Sequence, residues 1–178
     1  FGGGKLKFIG LQRLEHSPFY TTFATAAVDG SIAPTGERYH FVADEAESVL
    51  RSEYSWKSSN QNEWRISLEG AYNSLDTESR LSELQPGGSY SDIPLPGGTA
   101  KVDEKRVEAI FSYGRPLSST LTLQSSIGAE YSQISQSGLN GLTRQFVRPK
   151  GRINLSWKAQ PTLTLNLTLQ RKVEQLSF

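Results

Sequence analysis

Leu163 to Gln170 reads LTLNLTLQ. Leu163, Leu165, Leu167 and Leu169 share one face of an extended chain, and Thr164, Asn166, Thr168 and Gln170 the other, because successive side chains of a strand point to opposite sides. Strict period-two alternation predicts a β-strand with one apolar face. The pattern recurs. Leu121, Leu123, Ile127, Ala129 and Tyr131 oppose Thr122, Gln124, Ser126, Glu130 and Ser132. Trp64, Ile66, Leu68 and Tyr72 oppose Arg65, Ser67, Glu69 and Asn73, while Leu50, Tyr54 and Trp56 oppose Arg51, Glu53, Ser55 and Lys57. Val107, Ala109, Phe111 and Tyr113 oppose Arg106, Glu108 and Ser112. Val147, Ile153, Leu155 and Trp157 oppose Arg148, Lys150, Arg152, Asn154, Ser156 and Lys158.

The first part of the chain predicts two further strands. Leu6 and Phe8 alternate with Lys5 and Lys7, but Ile9 and Leu11 shift phase, as a bulge or strand end would cause. Phe19, Thr21, Phe23, Thr25 and Ala27 form one face of the second. Asp44 to Arg51 reads as the run-in to a strand rather than a helix. The expectation is an all-β, antiparallel up-and-down meander of about eight strands, most about ten residues long. Short polar links (SSNQNE at 58–63, RPLSST at 115–120, AQPT at 159–162) alternate with long ones at 29–45, 75–103 and 133–145. QPGGSYSDIPLPGGTA, in the second long link, is too rich in Gly and Pro for regular structure.

Composition narrows the function. In 178 residues, 19 Lys plus Arg against 18 Asp plus Glu argue against a nucleic-acid binder, which needs a basic excess. With no Cys there is no disulfide, thiolate metal site or Cys nucleophile, and with only two His a multi-histidine metal site is nearly excluded. No apolar run reaches the length of a membrane-spanning helix. No catalytic, cofactor-binding or metal motif stands out, and the chain reads as a non-enzyme.

An apolar face opposite a polar one fits a soluble sandwich, such as an adhesion or carbohydrate-binding module, or a transmembrane β-barrel whose apolar face meets lipid. Three features favour the barrel. Ten residues, tilted, span about 23 Å, near the apolar band of an outer membrane. Trp56, Trp64, Tyr113 and Trp157 sit at the short-link ends of their strands, and Tyr72 and Tyr131 toward the long-link ends, as two aromatic girdles would. The polar face carries mixed charge: Arg51, Glu53, Arg65, Glu69, Arg106, Glu108, Arg148 and Arg152.

WRISLEGAYNSLD, PLPGGTAKVDEKRVEAIFSYGRPLSSTLTLQSSIGAEYSQISQSG and LTRQFVRPKGRINLSWKAQPTLTLNLTLQRKVEQLSF resemble the barrel region of TonB-dependent receptors, from about Glu45 onward. That resemblance implies a Gram-negative outer-membrane location and a barrel of about 22 strands. It also implies an N-terminal plug, and a short box that contacts a periplasmic energy-coupling protein. Neither plug nor box is present, so residues 1–178 read as a segment of the barrel alone, and no plug or coupling residue carries over. Partners on this reading are outer-membrane lipid, a solute captured at the surface loops, and the energy-coupling protein through other regions. A porin, or an assembly or export barrel, is the other membrane reading.

The absence of Met and the start at Phe1-Gly-Gly-Gly fit signal removal or an internal piece. Counting eight strands back from the outward-running Leu163 strand puts both ends on the surface side. This favours the internal piece, with Phe178 as a truncation point. The first strand should then not pair with the last.

Other candidate residues have plain readings. Glu15-His16, followed by Ser17-Pro18, reads as a turn between strands. Asn154 and Asn166 match glycosylation sequons but lie mid-strand. Gly2-Gly3-Gly4-Lys5 lacks the spacing of a phosphate loop. Asp103 and Glu104, beside Lys105 and Arg106, read as a solvated cluster at a strand start. Asp76, Glu78 and Asp92 lack calcium-loop spacing. Arg148, Lys150 and Arg152 form a basic row that either attracts an anion or pairs with Glu on neighbouring strands.

Overall fold

The computed structural model describes residues 3–58, 61–138 and 141–171. It is an antiparallel meander forming a curled half-barrel. The strands are β1 (Lys5–Thr25), β2 (Thr35–Lys57), β3 (Glu63–Leu84), β4 (Tyr90–Ile93), β5 (Thr99–Pro116), β6 (Leu121–Ser137), β7 (Leu142–Gln160) and β8 (Leu163–Arg171). The order across the sheet is β1-β2-β3-β5-β6-β7-β8, with β4 beside β3. The path ends at β1 on one side and β8 on the other, so the strand near Leu6 does not pair with the strand near Leu165.

The faces follow the alternation. Register pairs such as Arg51↔Glu69, Glu69↔Glu108, Glu108↔Glu130 and Glu130↔Arg148 put the polar residues of five strands in one row. These lie on the concave side, where Glu69, Glu104, Arg106, Glu130 and Ser132 are buried. Most of the large apolar residues from β3 onward lie on the convex side and stay exposed: Ile66, Leu68, Val107, Ile127, Ile153, Leu165, Leu167 and Leu169 among them. The only buried hydrophobics among the described residues are Ala43 and Ala71. The described residues form one sheet, so no second layer covers the convex face.

Several expectations are corrected. The strands expected near Leu6 and Phe19 are one, the 21-residue β1, whose pairing with β2 runs unbroken from Lys5↔Ser55 to Thr25↔Thr35. There is no bulge at Ile9 and no turn at Glu15–Pro18. The phase shift is a change in which face carries the apolar residues: Leu6 and Phe8 are convex, Ile9 and Leu11 concave. Pro18 fits because β1 is an edge strand, where a missing N–H breaks no ladder on the free side. Fusing two strands into one changes the count. β1 begins at the end of the sheet that carries the short links, not at the opposite end.

Strand length is the second correction. Apart from β4 and β8, the strands have 17 to 23 residues, not about ten. They continue past the apolar band as polar ladders and absorb much of the expected long links. The link expected over 133–145 shrinks to 138–141, and that over 29–45 to 26–34. Within 75–103, β3 runs on to Leu84 and turns back through β4, closed by Gln85 N–H to Ser89 O at 2.8 Å. β4 continues the β5 side of β3 above an interruption at Pro94–Gly98, where the prolines cannot donate to the ladder. Gly98 is required there, since a Cβ would stand 2.7 Å from the Ser79 carbonyl oxygen, which sits against this backbone.

Candidate functional site

The concave face is built from side chains that the pleat places in rows, one residue per strand. In the central row Arg51 Nε donates to Glu69 Oε2 at 2.7 Å, and from the adjoining row Arg106 Nη2 lies 3.1 Å from Glu69 Oε1. Arg106 Nη1 stands 3.9 Å from Glu130 Oε2. Glu130 also accepts from Arg148 Nη1 at 3.0 Å and from Lys150 Nζ at 2.6 Å, and Lys150 pairs with Glu108 as well. Four cations thus alternate with three carboxylates across β2, β3, β5, β6 and β7. At 1% exposure, Glu130 is the anionic centre of this network. Burying such charges is tolerable only because each has opposite neighbours.

Toward the short-link end the chemistry changes. The register places Lys5, Ser55, Arg65, Ser112, Ser126, Arg152 and Gln170 in one concave row. Hydroxyls separate two guanidinium groups there, where the row above interposes carboxylates. A groove of about 690 Å³ opens over this row. Among the described residues Glu63 is its one carboxylate, and it pairs with Lys57 at 2.6 Å.

On the convex side of the same end, aromatic rings form a continuous strip. Tyr54 stacks on Trp56 with ring centroids 5.4 Å apart, Trp56 on Trp64 at 6.3 Å, and Trp64 meets Tyr113 at 4.3 Å. Trp64 Nε1 donates to Ser58 Oγ at 3.2 Å, and the Tyr113 hydroxyl to Asn62 Oδ1 at 3.2 Å, so the polar tips point to the link. At the other limit of the apolar band, the Tyr72 hydroxyl donates to Asp103 Oδ1 at 2.7 Å.

No family model and no curated protein matches the chain.

The remaining sequence candidates fall into place individually. Glu15 and His16 lie mid-strand on opposite faces: Glu15 pairs with Arg13, and His16 Nδ1 meets Asp44 Oδ1 at 2.6 Å. Asp103 and Glu104 also point to opposite faces. They are no solvated strand start: Glu104 is buried and accepts from Asn73 Nδ2 at 3.0 Å. Asp76, Glu78 and Asp92 do not converge; Glu78 pairs with Arg80 at 2.5 Å, and Asp92 accepts from Ser82 at 2.7 Å. Among the described residues no three acidic or histidine side chains come together as a set of metal ligands. Asn154 accepts from Thr168 across the β7–β8 pair at 2.9 Å. Gly2 lies outside the described residues. Of the basic row, Arg148 and Lys150 pair with glutamates, and Arg152 does not join them. Sequence reasoning missed the Arg65–Arg152 row, because strand alternation fixes faces but not which residues become neighbours. In the 26–34 link, Asp29 accepts from the Ser31 hydroxyl at 2.6 Å and from its N–H at 3.0 Å, which holds its carboxyl below the usual range.

Proposed function

We propose that the chain is a stretch of the wall of a large outer-membrane β-barrel, a receptor and transporter of the TonB-dependent kind. The convex face meets lipid and the concave face lines a wet passage. Extended strands beyond the apolar band would carry solute-capturing loops at the cell surface, and passage would be gated by a plug and an energy-coupling protein outside this segment. No covalent chemistry is involved.

One observation carries the reading. A band of exposed apolar side chains on the convex face is bounded by Trp56, Trp64, Tyr113 and Trp157 below and by Tyr72 and Tyr131 above, and the charged face is the concave one. From Trp64 to Tyr72 the band is about 20 Å tall once strand tilt is included, close to the roughly 25 Å of outer-membrane barrels. A soluble sandwich would cover this face with a second sheet.

The chain's tryptophans all lie on this face, so brominated phosphatidylcholine tests the reading directly. In the reconstituted full-length protein, the emission of Trp56, Trp64 and Trp157 should be strongly quenched by bromines near the headgroup. Emission that brominated lipid leaves unquenched would overturn the membrane assignment.

A further inference from the structure

The Arg65–Arg152 row has a feature that the proposed wall does not require. Among the described residues, neither Arg65, Arg152 nor Lys5 has a carboxylate within ion-pair distance, although every cation of the central row has one. Arg65 and Arg152 stand on β3 and β7, three strand spacings apart, about 14 Å along the sheet. The sheet curls toward this face, and Ser112 and Ser126 stand between the two arginines in the row. Those two short hydroxyl side chains leave a slot between the guanidinium groups, and Asn154 borders it in the same groove.

The chemistry of such a slot is specific. A guanidinium presents a planar fork of donors that matches two oxygens of a carboxylate or phosphate group, and serine hydroxyls add donors of fixed position. Arg65 and Arg152 are both exposed, so their hold on an anion rests on their placement in one row and weakens with added salt. We infer that this slot is an anion subsite near the short-link mouth of the passage, where a carboxylate- or phosphate-bearing solute is held between Arg65 and Arg152 over the two serines. Its place on a passage rests on the function proposed above. The tests stay separable, because anion binding is measured in detergent solution, whereas the membrane reading stands or falls on lipid quenching.

The probe is inorganic phosphate, titrated into the full-length protein in dodecyl maltoside at low salt and followed by ³¹P linewidth. Propane-1,2,3-tricarboxylate serves as competitor for the carboxylate arm. Phosphate should bind, and the tricarboxylate should displace it. The double substitution Arg65→Gln/Arg152→Gln should weaken binding at least fivefold, while Lys101→Gln on the convex face should leave it unchanged. Filling the floor with Ser112→Leu/Ser126→Leu keeps both charges and should weaken binding by a similar factor; unchanged tryptophan emission reports the fold of each variant. Equal phosphate affinity in Arg65→Gln/Arg152→Gln would overturn the assignment. So would full affinity in Ser112→Leu/Ser126→Leu, since that result describes a diffuse counter-ion cloud rather than a slot.

Discussion

Replacing Glu130 by Gln keeps the shape of the side chain and removes the one charge on which three cations converge. Each cation then falls back on what remains. Arg106 keeps Glu69 at 3.1 Å, and Lys150 keeps Glu108. Arg148 is left without a carboxylate, with the Ser132 hydroxyl at 3.4 Å and the Phe146 ring centroid 4.6 Å from its guanidinium carbon. Removing one partner of a buried pair typically costs about 3–5 kcal/mol, because a charge is left uncompensated. Only one of the three cations is stranded here, and Arg148 is partly exposed on the concave side, so water recovers some of the loss. The expected cost is about 3 kcal/mol, at the low end of that range. Urea unfolding in detergent, followed by tryptophan emission, should show the midpoint falling by roughly 1 M or more. If Arg148→Gln alone costs about 3 kcal/mol by stripping Glu130 of its partner, adding it to Glu130→Gln should cost at most about 1 kcal/mol further, a coupling of about 2 kcal/mol. Simple addition of the two single effects would refute the picture of a coupled network centred on Glu130.

Other outcomes follow from the same geometry. Leu167→Arg, on the exposed convex face, should cost about 2–4 kcal/mol in the membrane-inserted protein, and Leu165→Arg less if it lies nearer the interface, as read by unfolding from lipid vesicles. Gly128→Ala should destabilise measurably in the same assay, because a Cβ there would stand 2.3 Å from the Ala109 carbonyl oxygen and 2.9 Å from Ile110 Cγ1. Protease added to intact cells should cut within 26–34, where Val28 and Ile32 are exposed, and spare 117–120. Ser31→Ala should raise the Asp29 pKa toward the ordinary carboxylate range, measured by NMR titration. The Asp29–Ser31 turn is favoured while Asp29 is ionised and should be lost as the pH falls through its lowered pKa in the folded protein.

Where one residue in two was apolar, the sequence was legible. Ile66 and Leu68, Leu123, and Leu165 and Leu167 all lie on the face that alternation predicts, because a strand has only two faces and a single period. Legibility ended where the apolar residues did. Thr77 to Leu84 and Gln133 to Ser137 lack apolar alternation, yet both are strand, because a backbone that leaves one ladder must find other partners and the neighbouring strand supplies them. Ser17-Pro18 carries a genuine turn signal that an edge position overrides. Reading that one strand as two reversed the inferred side of residue 5, since each strand counted flips the direction of those before it. The charge network was half legible. The residues on the concave face were named, but whether Arg152 stood beside a glutamate or a serine depended on register, and register is a property of pairs of strands.

The two edges of the sheet carry the last argument. β1 and β8 each present a row of backbone donors and acceptors that no described strand satisfies. In hydrocarbon an unpaired edge costs several kcal/mol per group, so a wall of this kind persists only with each edge paired. Closing β1 onto β8 would satisfy both, but a ring of so few strands has an interior just wide enough to be filled by side chains. That interior would have to hold Arg51, Glu69, Arg106, Glu108, Glu130, Arg148, Lys150 and, without carboxylate partners, Arg65 and Arg152. A wider barrel, in which other strands meet the two edges, leaves those arginines hydrated. The chain has no cysteine, so the choice is directly testable. Leu155→Cys with Leu167→Cys, directly opposed on β7 and β8, should cross-link readily with a short bifunctional thiol reagent in the native full-length protein. Phe8→Cys with Leu167→Cys, on the convex faces of the two edge strands, should not. Efficient cross-linking of the second pair, within single polypeptides, would mean that the strands close on themselves and that the wide-passage reading is wrong.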